Sequence, residues 1–421
     1  MKKSVRITLY ILSLIVLAVV VWAIFFGNPT KAGRGTKDEQ VAGSVGSLVE
    51  DTENDGDAGE TDAPPFDATE FDTELPKAEE EVQQNTTLLF AGDVLIAAAL
   101  EERYDAEGIT SVVSEEVLSA MQGADIMMVN NEFQFSTRGE PMEDKQYTFQ
   151  TDPKYVQVLL DMGVDIVSLA NNHTLDFGKD ALVDTMATLD EAGILHAGAG
   201  ETKERAESLQ IIEVNGKKFG FLAATRVIPV STWNIDYGQP GLFSTYDDTQ
   251  IVERIRESKE QCDFLTVYVH WGIERVEYPK QYQRTLATHY VEAGADLIIG
   301  SHPHVLQGIE LIDGKPVFYS LGNYIFRNNI AKTALVEVTV NADGEASYRL
   351  LPAYASAGVT QLYSGTDAQS LYDYMSRISA NVKVEGDGSL TETTWKDISY
   401  ETMVPPETEQ AATESGGTAG Q

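Results

Sequence analysis

Five short apolar runs, each followed within a few residues by side chains of metal-ligand type, constrain this chain more than any other feature. Leu88-Leu89-Phe90 leads to Gly92-Asp93, residues 126–129 to Asn131-Glu132, and residues 166–169 to Asn171-Asn172-His173. Residues 264–269 lead to His270, and Leu297-Ile298-Ile299 leads to Ser301-His302-Pro303-His304. Such runs read as buried strands of an α/β protein. Ligands of one site in such folds come from loops at strand ends that converge on a crevice. The chain has six histidines, and four of them lie in these segments. This is the pattern of a hydrolase-type metal centre.

The rest of the chain from residue 86 to about 355 predicts strands alternating with helices. Thr151-Asp152-Pro153 is a helix start with a capping side chain and a proline in the first turn. Residues 179–192 and 282–293 predict two further helices, stopped by Gly193 and Gly294. Asn215-Gly216 and Asp313-Gly314 are hairpin signals, and Asp343-Gly344 suggests a third hairpin. Residues 365–400 read as a helix over 368–378 and an irregular segment packed on the domain. Helical crossovers mixed with hairpins predict mixed sheets with helices outside, of which an α/β/β/α sandwich is one arrangement.

Residues 7–26 carry no charge and follow Met1-Lys2-Lys3-Ser4-Val5-Arg6. A helix of that length spans roughly 30 Å, one hydrocarbon core. A cleavable signal peptide competes, but no small-residue cleavage site follows, so an uncleaved single-pass anchor over residues 1–27 is preferred. The short basic N-terminal tail and the acidic bulk behind the anchor place the main domain outside the cell membrane. Net charge is −36, and residues 38–81 alone hold sixteen Asp and Glu against one lysine, Lys77. Residues 28–85 therefore read as a disordered acidic linker, the folded domain as 86–400 and residues 401–421 as a disordered tail. So acidic a chain argues against nucleic-acid binding. Cys262 is the only cysteine, which excludes an intramolecular disulfide.

Taken singly, most of the ligand candidates have a bland reading. An Asp after a strand, such as Asp93, caps a helix more often than it binds a metal. Glu132 would sit in a solvated loop, and His270 would be a satisfied core histidine. Residues 171–176 are more specific, because two amides, an imidazole and a carboxylate at a buried strand end need many partners unless they do chemistry. Asn172 can offer an amide oxygen to a metal, leaving His173 as proton donor, oriented by Asp176 or by a backbone carbonyl. In His302-Pro303-His304 an extended chain would point both imidazoles the same way. Each could then reach a different ion of a pair about 3.5–4 Å apart. Imidazole with carboxylate suits ions of the Mn, Zn or Fe class, one or two of them. Arg226, after a strand predicted at 219–224, is the candidate contact for an anionic substrate group, with a structural salt bridge as the competing reading. His196 and His289 are assigned no role.

The ordered series Ala91-Gly92-Asp93, Asn130-Asn131-Glu132, residues 170–178, Val269-His270-Trp271-Gly272, Gly300-Ser301-His302-Pro303-His304 and Ser320-Leu321-Gly322-Asn323-Tyr324 resembles the CapA family of bacterial poly-γ-glutamate capsule synthesis proteins. The resemblance covers about residues 86–330 and implies a calcineurin-like metallophosphoesterase fold, a four-layer α/β/β/α sandwich, here preceded by one transmembrane helix. It also implies a membrane-anchored protein acting with a capsule polymerase or export complex. By analogy with metallophosphoesterases, Asp93 takes the first aspartate role and Glu132 replaces a bridging aspartate. Asn172, His270 and His302 complete one metal site, His304 serves the other, and His173 is the general acid. The phosphoesterase pattern has a histidine two residues after its first aspartate, and this chain has Leu95 there, so one metal loses a ligand.

Three functions follow as expectations: synthesis or export of poly-γ-glutamate or a related anionic capsule polymer, metal-dependent hydrolysis of a cell-envelope phosphate ester, and scaffolding. The last would keep the fold and tolerate loss of His302 and His304.

Overall fold

A computed structural model describes residues 84–326 and 328–404. The predicted anchor, nearly all of the acidic linker and the tail from residue 405 lie outside the described residues. No helix among the described residues is long and apolar enough to cross a membrane.

Strand β1 (Thr86–Val94) is followed by helices α1 (Ala98–Glu107) and α2 (Glu115–Gly123), then by β2 (Ile126–Asn131). Next come α3 (Val156–Met162), β3 (Ile166–Ser168), α4 (Lys179–Ala192) and β4 (Leu195–Ala197). The four strands pair in parallel in chain order. A second sheet is then built from β5 (Gln210–Val214), β6 (Lys217–Thr225), β7 (Phe264–His270), β8 (Leu297–Ser301), β9 (Ile309–Ile312) and β10 (Lys315–Phe318). Its order is β9-β10-β8-β7-β6-β5. Helix α5 (Thr249–Lys259) precedes β7, and α6 (Gln281–Ala293) precedes β8.

The chain then returns to the first sheet with β11 (Asn323–Ile325), β12 (Ile330–Val340), β13 (Ala346–Ser356) and β14 (Val359–Leu362). Its order becomes β14-β13-β12-β1-β2-β3-β4, with β11 paired parallel to β1. Helix α7 (Gly365–Ile378) follows, and residues 400–403 form a short helix tied to the domain by the Tyr400 N–H on the Pro279 carbonyl. The Asn215-Gly216 and Asp313-Gly314 turns carry positive φ at both residues, as two-residue hairpins require. The fold is thus mixed α/β with several sheets, as the sequence predicts.

Period-two alternation decides what each strand face meets. Leu88 and Phe90 of β1 meet Phe219 and Phe221 of β6, Tyr268 of β7 and Ile299 of β8 in one apolar cluster shared by the two sheets. The opposite face of the first sheet packs Leu89, Met127 and Val167 against Val117, Leu159 and Leu182 of α2, α3 and α4. That of the second packs Leu222, Leu265 and Ile298 against Ile255 of α5 and Leu286 and Tyr290 of α6. Each such buried side chain contributes roughly 1.5–3 kcal/mol, which makes the strand ends a rigid support.

Gly92 lies inside β1, and a Cβ there would lie 1.9 Å from the Gly322 carbonyl oxygen. Its lack of a side chain lets β1 and β11 approach, and the Asp93 N–H donates to that same oxygen at 3.0 Å.

Candidate metal centre

The inner-face parity of β7 carries Tyr268 into the shared cluster, and His270, two residues on, continues that face to the strand end. Asp93 near the end of β1, Glu132 after β2 and the Ser301-His302 junction after β8 come to the same place. All of these side chains are buried. Donor atoms of Glu132, His270 and His302 lie within 4.8 Å of one another, as do those of Asp93, Glu132 and His304. Glu132 belongs to both groups.

Asn172 joins the first group: its Oδ1 lies 2.8 Å from His270 Nε2, and that nitrogen is 3.8 Å from Glu132 Oε1. The other ring nitrogen of His270 is 3.0 Å from Ser301 Oγ. Asn171 plays a separate part. Its amide donates to Asn130 Oδ1 and to the Asn131 carbonyl, and its Oδ1 accepts from the His173 N–H and the Thr174 hydroxyl. Asn130 in turn donates to Asp93 Oδ1 at 2.8 Å. The asparagines that flank the ligands therefore hold the strand ends together, while Asn131 Oδ1 stays buried without a partner.

His302-Pro303-His304 is not extended, contrary to the expectation from alternation. Both histidines have positive φ, 99° and 58°, so the segment bends and brings the ring centroids 5.9 Å apart. Positive φ is uncommon outside glycine, although histidine adopts it more readily than most residues, and such conformations cluster at functional sites.

The orphaned atoms show what the cluster fits. Asp93 Oδ2, both carboxylate oxygens of Glu132 and His302 Nδ1 are buried with no hydrogen-bond partner in the protein. Burial, then the neighbouring Asp93, pushes the Glu132 carboxyl well above the usual range. Burial and the imidazoles of His302 and His304 hold His270 well below a free imidazole. His302 is lowered to about 3 by burial and by His304. Burial lowers His304 as well, but Glu132 and Asp93 outweigh it and lift the ring to about 9. Two buried carboxyl groups beside the neutral imidazoles of His270 and His302, with His304 protonated until a cation displaces its proton, form a donor set suited to a divalent cation.

His173 stands beside the cluster. Its Nδ1 is 2.7 Å from Asp176 Oδ2. Lys145, a residue that the sequence reading missed, reaches in from the loop before Phe149: its ammonium lies 3.1 Å from the same Nδ1 and donates to Asp176 Oδ1 and to the Asn172 carbonyl. Asp176 also accepts from the Phe149 N–H, and the Phe149 ring covers His173 at 4.5 Å. Burial lowers both Lys145 and His173 against the pull of Asp176. No periodicity in residues 137–149 marks Lys145; a lysine in a polar loop reads as solvated.

Arg226 is not brought into this cluster. It directly follows β6, on the parity of Leu222 and Ala224, which pack on the opposite face from the centre. Its guanidinium donates to the carbonyls of Thr245 and Tyr246 and lies over the rings of Tyr246 and Tyr282 at 4.9 and 5.2 Å. Among the described residues no carboxylate pairs with it. His289 faces Asp248, and His196 lies in β4 beside Arg205, both apart from the centre.

The family profile described as bacterial capsule synthesis protein PGA_cap matches residues 87–328. The chain is similar to the PGA biosynthesis protein CapA of Bacillus subtilis (strain 168), 30% identical over 284 residues, covering 66% of this chain and 74% of that protein. It is similar to the capsule biosynthesis protein CapA of Bacillus anthracis, 28% identical over 305 residues, with 70% and 74% covered. A probable polyglutamine synthesis accessory protein of Mycobacterium tuberculosis (strain ATCC 25618 / H37Rv) is 27% identical, with 63% and 75% covered.

Proposed function

The chain belongs to the bacterial capsule synthesis protein (PGA_cap) family, and from that premise we propose that it takes part in making or exporting poly-γ-glutamate or a related anionic capsule polymer through a divalent-metal centre. The two facing sheets with helices on their far faces are, on this reading, a four-layer α/β/β/α sandwich of metallophosphoesterase type. The domain stands outside the cell membrane on its acidic tether, held by a single-pass anchor over residues 7–26 beside a membrane-bound polymerase or export complex.

One observation carries the metal reading: Glu132, buried with both oxygens unpartnered, is shared by two converging donor groups. Glu132, Asn172, His270 and His302 would hold one ion, and Asp93, Glu132 and His304 a second, of the Mn, Zn or Fe class. Such ions act as Lewis acids and lower the pKa of water. The protein's own groups supply the rest. Asp176 and Lys145 engage Nδ1 of His173, which leaves Nε2 as the nitrogen able to pass a proton to a leaving group. Phe149 shields that ring from solvent.

The test joins metal content to polymer output. The purified protein should carry the ion, and a deletion strain should regain polymer with the wild-type chain but not with His302→Ala. Unchanged polymer in the deletion strain would sink the biological half of the proposal. A second reading, hydrolysis of a cell-envelope phosphate ester, is favoured by the placement of His173 beside a two-ion donor set. Absence of turnover with Mn²⁺ on phosphomonoesters and phosphodiesters would rule it out.

A further inference from the structure

The two donor groups are unequal. The first has four ligands, because Asn172 Oδ1 stands 2.8 Å from His270 Nε2. The second has three, Asp93, Glu132 and His304. Leu95 lies two residues beyond Asp93, but it is buried hydrocarbon packed in the helix-facing cluster and offers no donor.

A second amide is in place, however. Asn323 Oδ1 lies 2.7 Å from His304 Nδ1, and that nitrogen is 3.4 Å from Asp93 Oδ2. The parallel pairing of β1 with β11 sets Asn323 directly opposite Asp93. The register is held by the Asp93 N–H on the Gly322 carbonyl, and it is possible only because Gly92 has no Cβ to strike that oxygen. Asn323 is 4% exposed, so its amide is committed to this place.

We propose that Asn323 supplies the amide-oxygen ligand that completes the Asp93–Glu132–His304 subsite, in the place that Leu95 leaves without a donor. Adjacent ligands at 2.0–2.2 Å from one ion stand about 3 Å apart. Both amide–imidazole pairs, Asn172 with His270 and Asn323 with His304, have nearly that spacing and close it with a hydrogen bond when no ion lies between them. The two subsites then differ in chemistry. The first offers two imidazoles and two oxygens, whereas the second offers one imidazole and three oxygens. A set richer in oxygen suits harder cations, so the Asn323 subsite discriminates less against Mn²⁺ than the first subsite does.

The assignment rests on the metal-centre reading, and the experiment separates the two. Mn²⁺ is titrated into metal-stripped full-length protein in detergent, with bound ion counted and followed by electron paramagnetic resonance. Wild type should bind two ions and show the spin-coupled signal of a pair bridged by Glu132. Asn323→Ala should keep one ion, lose the coupled signal and bind the second ion at least about tenfold more weakly. Asn323→Asp retains an oxygen donor and should restore the pair at wild-type affinity or better; it also keeps the test decisive if the alanine variant unfolds. A coupled pair in Asn323→Ala at wild-type affinity, a second ion weakened in Asn323→Asp, or a single ion in wild type would overturn the assignment. No ion in wild type would overturn the metal-centre reading itself.

Discussion

Asp176 Oδ2 lies 2.7 Å from Nδ1 of His173, three residues earlier in the chain, and the same carboxylate is the anchor for the ammonium of Lys145. One buried carboxylate thus fixes both the ring that faces the centre and the loop that covers it. The ring itself is outside both donor groups. His173→Ala should therefore leave bound metal unchanged while lowering turnover by about 10²–10⁴-fold, the usual contribution of a positioned acid. Metal analysis alongside the rate checks it, and loss of metal in this variant would show that His173 is a ligand.

Lys145→Ala removes a side chain that is 13% exposed and leaves the fully buried Asp176 with fewer donors. A buried acceptor stripped of a partner costs about 1–3 kcal/mol. The variant should be less stable by that amount, melt at a lower temperature and be cut sooner by protease within residues 137–149, with its metal content intact. A melting temperature equal to that of wild type would show that the contact contributes nothing.

Glu132→Gln keeps the side-chain volume and removes the shared charge. Wild type should gain about 2.7 kcal/mol of stability with an ion at a hundred times its dissociation constant. The variant should gain none, because both donor groups pass through Glu132. His302→Ala should lose only the ion of the first group. Equal stabilisation of Glu132→Gln and wild type by Mn²⁺ would contradict the shared role.

Strand ends were the legible part of this chain. Hydrophobic runs identify buried strands, and a ligand-type residue just after each run is visible without any coordinates, as at Asp93, His270 and His302. What could not be read is geometry set by tertiary packing. The bend at His302 and His304 needs positive φ at both, a conformation uncommon enough outside glycine that sequence alone does not predict it there. The reason for a glycine at position 92, the approach of Gly322, comes from a segment far along the chain. Arg226 lies next to His270, its N–H on the His270 carbonyl, but only tertiary structure shows that its guanidinium is taken up by the Thr245 and Tyr246 carbonyls. Helices α1 and α5 escaped because their sequences are dominated by charge, with Leu100 as the buried residue of α1 and Ile251, Ile255 and Ser258 those of α5. Lys145 escaped because a lone cation in an aperiodic loop has no signature.

His196 gives the chain a pH dependence separate from the metal centre. It lies in β4, its Nε2 accepts from the Arg205 guanidinium at 2.8 Å, and its Nδ1 is buried without a partner. Burial, then the charge of Arg205, lowers the ring from 6.5 to about 4, and Asp190 only partly offsets this. Below about pH 6.5 the unfolded chain takes up a proton that the folded ring refuses until about pH 4. The unfolded state then binds more protons, so stability falls as pH falls through that window and is unaffected by this group above it. The slope from one such group is at most about 1.4 kcal/mol per pH unit. Urea unfolding of metal-free protein across this range should show a steeper loss in wild type than in His196→Gln, whose amide can still accept from Arg205 without titrating. Parallel losses in the two proteins would place the acid sensitivity elsewhere, in the imidazoles of the centre.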